Sequence, residues 1–154
     1  MSSLHYLTVQ DMLWINLQVT KKVHRFNYAR LEEATFYQYG YGQSTSLLEQ
    51  ASRFLTGFVK MHPIDAGNDA TAFIGCLAFL KINGQEISLD DADASAWFAR
   101  VQSKEVPAVQ ALRDVSRDSG HGHHDGVPDV RATVRGILDG YEQTIARLNA
   151  PVAV

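Results

Sequence analysis

The run from Ala70 to Leu80 constrains this chain more than any other stretch. Its eleven positions carry no charge, and Thr71 supplies the one side-chain hydroxyl. A surface helix keeps a polar stripe toward water, whereas a helix that is apolar all round must be covered on every side. The segment from about Asn68 to Asn83, with Gly84 as its C-terminal cap, therefore predicts a central helix wrapped by others. Cys76 lies inside the run and reads as a small buried core residue. The longest uninterrupted apolar stretch, Ala72 to Leu80, is far short of the ~20 residues that a membrane-crossing helix needs.

The flanking sequence supplies the wrapping helices. Thr8 with Asp11 three residues on forms a capping pair, and a broad apolar face through Val9, Met12, Leu13, Ile15, Leu17 and Val19 follows, ending near Lys21 and Lys22. A short helix is expected at 28–36 through Leu31 and Ala34. Residues 36–43 break the period with Gly40 and Gly42 and read as a loop or short hairpin. A capped start at Ser44 or Thr45 opens a stronger helix through Leu47, Leu48, Ala51, Phe54, Leu55 and Phe58. It stops at Pro63, because the residue before a proline is pushed out of helical angles. Further helices are expected at about 91–102, 105–117 and 129–148, with Glu86 to Leu89 as an extended link and no convincing strand pair. The expectation is an all-α bundle of six or seven helices in a single domain spanning 1–154.

Composition limits the function classes. At 154 residues, with 45% apolar and 20% charged positions, the chain is long enough for a sizeable core and too apolar for wholesale disorder. A net charge of −3 and the lack of a basic stripe argue against nucleic-acid binding. One cysteine excludes an internal disulfide framework and fits a reducing compartment. The first residues lack the organisation of a signal peptide, so a cytoplasmic protein is expected. Residues 119–126 read as a linker. His121, His123, His124 and Asp125 within it offer metal ligands, but at a spacing unlike that of a structural zinc site, and a solvated loop is the favoured reading over a metal-binding bundle.

Between the two strongest helices lies His62-Pro63-Ile64-Asp65-Ala66-Gly67-Asn68-Asp69-Ala70. His62 ends one helix, and Gly67 and Asn68 stand at the start of the next. Unpaired amides at a helix N-terminus accept anions, a glycine there permits close backbone approach, and an imidazole accepts protons near neutral pH. This stretch resembles the active-site loop of the Fic/Doc family, written H-x-F-x-(D/E)-G-N-(G/K)-R. Likeness to the death-on-curing branch extends over roughly residues 4–90. It rests on Tyr6-Leu7-Thr8-Val9-Gln10-Asp11, Phe58-Val59-Lys60-Met61-His62-Pro63, Thr71-Ala72-Phe73 and Phe79-Leu80-Lys81-Ile82-Asn83-Gly84-Gln85-Glu86-Ile87. The remainder, 91–148, matches only in being helical.

The resemblance implies transfer of AMP or phosphate from a nucleotide to a protein hydroxyl. It assigns His62 as the catalytic base, Gly67 and Asn68 to the phosphates, an acid to magnesium, and basic residues to charge neutralisation. It also implies an antitoxin-like protein regulator and a flap that pairs with the target peptide, for which the Tyr37/Tyr39/Tyr41 alternation stands in position. Ordinary aromatic packing explains those tyrosines equally well. The acid is replaced by Ala66 and the basic pair by Asp69 and Ala70, so no metal ligand is assigned. A cationic clamp on a transferring phosphoryl group is worth about 10³–10⁵ in rate. The expectation is a degenerate Fic/Doc-like protein that acts through protein binding and binds ATP and magnesium weakly. The alternative is an active transferase with an altered metal site built from Asp65 or Asp69.

Overall fold

The computed structural model describes residues 4–40, 46–119 and 127–150. Within them lie α1 (Val9–Thr20), α2 (Tyr28–Phe36), α3 (Leu47–Met61), α4 (Asn68–Ile82), β1 (Gln85–Ile87), α5 (Asp91–Gln102), α6 (Ala108–Val115), β2 (Ser116–Asp118), α7 (Val130–Gly140) and α8 (Glu142–Asn149). The described residues form an all-α bundle with one two-stranded antiparallel ribbon.

Helix α4 is its centre. Every residue from Ala70 to Leu80 is buried, and α1, α3, α7 and α8 pack around the helix. Helix α1 approaches closely at Gly75, where an added Cβ would lie 2.7 Å from Met12 Cε. Aromatic rings fill the remaining space. Phe54 of α3 meets Phe79 edge-on at 6.1 Å, and Phe73 is ringed by Trp97, Phe98 and Tyr141. Such edge-to-face contacts suit the ring quadrupole and add to plain burial.

Two buried amide side chains tie the leading segment to this core. Asn83 accepts from His5 N–H at 2.8 Å and donates to His5 C=O at 2.9 Å. Gln38 does the same for Leu7, at 2.8 and 2.7 Å. Each side chain thus imitates a neighbouring strand, which satisfies backbone groups that would otherwise be buried without partners.

The elements depart from expectation at three places. Eight helices stand among the described residues, because the helix expected over 129–148 breaks at Tyr141, whose backbone turns to φ −135°. The Tyr141 hydroxyl donates to Leu89 C=O. The Asp91 carboxylate accepts from the N–H groups of Gln143 and Thr144 at 2.9 and 2.8 Å, so α8 begins on a cap supplied by α5. The helix expected over 105–117 starts only at Ala108, after Pro107. Its end is taken by β2, whose Ser116, Arg117 and Asp118 pair with Ile87, Glu86 and Gln85. Three-residue strands are too short to show alternation, which is why this pair escapes sequence reading. Finally, α3 is capped by Ser46, whose Oγ accepts from Glu49 N–H. The expected caps, Ser44 and Thr45, lie outside the described residues, as do Tyr41, Gly42, His121, His123, His124 and Asp125.

Candidate functional site

Helix α3 ends where His62 turns left-handed, at φ 47°, and its N–H reaches the carbonyls of Phe58 and Val59 at 3.2 Å each. Histidine is among the residue types that tolerate this conformation better than most. Pro63 then sends the chain out extended. Ile64 lies antiparallel to Phe26, flanked by Asn27 N–H to Pro63 C=O and Asp65 N–H to Arg25 C=O, both 2.9 Å. In such a pair the N–H and C=O of Ile64 and Phe26 point away from each other, toward the outer edges.

Asn68 closes the Ile64 edge. Its Oδ1 accepts from Ile64 N–H at 3.1 Å, and its Nδ2 donates to Ile64 C=O at 2.5 Å. The same Nδ2 lies 3.3 Å from His62 Nδ1. The side chain is 3% exposed. The structure therefore brings His62, Gly67 and Asn68 together, but turns the Asn68 amide inward onto the loop. Gly67, at φ 76°, is the N-cap of α4, and Asn68 is the first helical residue rather than the cap. Positive φ alone favours glycine here. Packing adds to this, since a Cβ on Gly67 would lie 2.4 Å from Thr20 Cγ2 and 3.1 Å from Asn16 Nδ2. The open side of the glycine is filled by α1.

Asn16 is a second latch. Its Nδ2 donates to Ala66 C=O at 2.8 Å and to Thr71 Oγ1 at 3.0 Å from a site 3% exposed. Thr20 is held in turn by Asn16 C=O at 2.8 Å. Sequence reasoning passed over both residues. The signal was available: Met12, Ile15 and Val19 form the buried stripe of α1, and Asn16 is the polar member at the same helical spacing.

The electrostatics oppose a phosphate. Asp69 is half-buried in the first turn of α4. Burial raises its carboxyl above the ordinary value, and the charge of His62 partly offsets this. Ala70 is fully buried, so this position faces the core and not the loop. Ala66 offers no ligand, Asp65 is exposed, and no group of three His, Cys, Asp or Glu among the described residues could hold a metal ion. These residues do not fit a magnesium nucleotide.

Tyr37 and Tyr39 take the packing alternative. An added Cβ on Gly57 would lie 2.6 Å from the Tyr37 ring, and Tyr39 stacks on Tyr6 with centroids 4.1 Å apart. The open backbone edge lies instead at Phe26, whose N–H and C=O face outward and which stands beside the exposed Val23 and Tyr28. Among the described residues, no helix is long and apolar enough to cross a membrane. Comparison with protein-family models, curated proteins and solved structures finds no match to this chain.

Proposed function

We propose that this chain is a Fic/Doc-like domain whose transfer loop has become a structural joint, and that it acts by binding a protein. The observation that carries this reading is the use made of Asn68. Its amide is spent on both backbone groups of Ile64, leaving nothing to orient a phosphate. Thr20 over Gly67 and the carboxylate of Asp69 beside His62 support it, since the anion-accepting end of α4 is filled on one side and negatively charged on another. Protein binding is favoured by the exposed apolar edge at Val23, Phe26 and Tyr28, where an extended peptide has backbone partners available.

The test is a transfer assay with magnesium and ATP labelled on either the α- or the γ-phosphate, using the wild type and His62→Ala. No label is expected on the protein or on a hydroxyl-bearing acceptor peptide. Labelling that His62→Ala abolishes would replace this reading with that of an active transferase.

A further inference from the structure

The Asn68 amide has a single orientation open to it. Ile64 N–H needs an acceptor and Ile64 C=O needs a donor, and Oδ1 and Nδ2 supply them at 3.1 and 2.5 Å. Turning the amide over would set donor against donor and acceptor against acceptor, in a site 3% exposed. An amide nitrogen of this kind carries two hydrogens. One goes to Ile64 C=O, and the same Nδ2 lies 3.3 Å from His62 Nδ1. A donor therefore faces His62 Nδ1, and the ring has to supply the lone pair. A neutral imidazole with its lone pair on Nδ1 carries its proton on Nε2. Among the described residues the ring has no second hydrogen-bond partner, and His62 is exposed. It shows water an N–H, and at that nitrogen it has no lone pair with which to take a proton.

A second proton, taken from solvent, changes this pairing. It enters at Nδ1 and sets N–H against the N–H of Asn68. The amide cannot turn to offer its oxygen, because Ile64 holds both ends of it. The exposed ring is the part free to move. It has a destination in Asp69, half-buried in the first turn of α4. Burial pushes the Asp69 carboxyl up and the charge of His62 counters this, so the two groups already act on one another. The helix dipoles favour the same arrangement. His62 caps the negative end of α3 and Asp69 stands at the positive end of α4. The other charged and titratable groups nearby are Lys60 on α3, Asp65 in the loop, and His24 and Arg25 on the paired strand. None of them forms an ion pair with a described residue. Helix α1 meets the loop with the uncharged Asn16 and Thr20.

We propose that Asn68 holds neutral His62 as the Nε2–H tautomer, and that a proton on Nδ1 swings the ring from Asn68 to the Asp69 carboxylate. The joint between α3 and α4 thus carries a proton-operated catch. Its two positions leave the Ile64 bonds in place and change what the loop shows to a partner. The neutral ring offers an N–H donor, and the charged ring is an imidazolium beside a carboxylate. The catch deepens the reading of this loop as a structural joint and rests on the inward Asn68 amide that carries it.

Long-range proton–nitrogen NMR spectra of the isotope-labelled full chain test both parts, recorded between about pH 5 and 8, where imidazole changes charge. The His62 resonances are those missing from His62→Gln. At the upper end of the range Nδ1 should be unprotonated and Nε2 protonated. On acidification the Asn68 side-chain NH2 shifts should move with the same midpoint as the His62 ring. A nuclear Overhauser effect between the ring and the Asp69 methylene should appear alongside, and the Ile64 amide should stay slow to exchange throughout. In His62→Gln, whose side chain does not titrate, the Asn68 NH2 shifts should be constant with pH. In Asp69→Asn the ring should still leave Asn68 but lose the contact with position 69. A dominant Nδ1–H tautomer, an Asn68 amide indifferent to the ring, or a charged ring still seated on Asn68 would each overturn the proposal. Loss of Ile64 protection with the same midpoint would show that the loop melts and also overturn it. The labelled-ATP assay is read separately. Transfer with the catch intact removes the pseudoenzyme reading alone, whereas the wrong tautomer without transfer removes the catch alone.

Discussion

Removing the Asn68 side chain would strand the N–H and C=O of Ile64, a residue 1% exposed. A buried polar group left without a partner costs about 1–3 kcal/mol, so Asn68→Ala should lower unfolding free energy by roughly 2–3 kcal/mol in urea titration. His62→Gly should shift it by under about 1 kcal/mol, because glycine suits a left-handed helix end and the imidazole is exposed. The opposite order, with His62 dominant for stability, would mean that Asn68 is not the fastening of the loop. Gly67→Ala adds a Cβ at φ 76° and at 2.4 Å from the Thr20 methyl, and it should cost more than about 1 kcal/mol. Thr20→Ala in the same chain relieves the contact but not the backbone strain, so it should restore only part of the loss. The identities of His62, Gly67 and Asn68 and their place between two helices were legible in the sequence. The direction of the Asn68 amide was not, because the same spacing serves a ligand turned outward and a latch turned inward.

Helix α8 depends on a carboxylate from another element. Partial burial pushes the Asp91 carboxyl upward. The hydrogen bonds from Thr144 and Gln143, together with the charge of Arg147, outweigh that and hold it below the ordinary aspartate value. A folded-state value lower than the unfolded one stabilises the protein fully above the ordinary range of ~3.9. That contribution disappears as pH falls through the depressed value. Asp91→Ala should therefore cost about 1–2 kcal/mol at neutral pH, the range of a lost helix cap. The gap in Tm between wild type and variant should close as the pH is lowered; a gap constant with pH would show that charge has no part in the cap. At this scale the sequence is informative for α1, α2, α3 and α4, whose apolar spacing is local. It is silent on the break at Tyr141 and on the ribbon of 85–87 with 116–118, because both are set by partners distant in the chain: Leu89 and Asp91 for the break, and each strand for the other.

For the whole molecule, the charge-free run at 70–80 decides the architecture, and its centre offers a direct probe. Burial pushes the Cys76 thiol up to about 12. The native protein should stay unlabelled by a thiol-disulfide reagent at neutral pH and react stoichiometrically once unfolded; fast labelling without unfolding would place α4 nearer the surface. Above the ordinary thiol value of ~8.5, the unfolded chain ionises this group while the folded one does not. Stability should therefore decline as pH rises through that range toward 12. The same burial reaches Ala70, which is why an arginine at that position would be forced into the core and why a restored transfer site must leave it unchanged. The central claim is that the loop from His62 to Asp69 fastens the fold and does not hold a nucleotide. Titration calorimetry with magnesium-ATP tests it most directly. The wild type should bind more weakly than ~1 mM, and Ala66→Asp/Asp69→Lys, which adds an acid for the metal and exchanges an anion for a cation, should bind more tightly. Micromolar binding by the wild type, lost on substitution of His62 or Asn68 in protein that remains folded, would contradict the account.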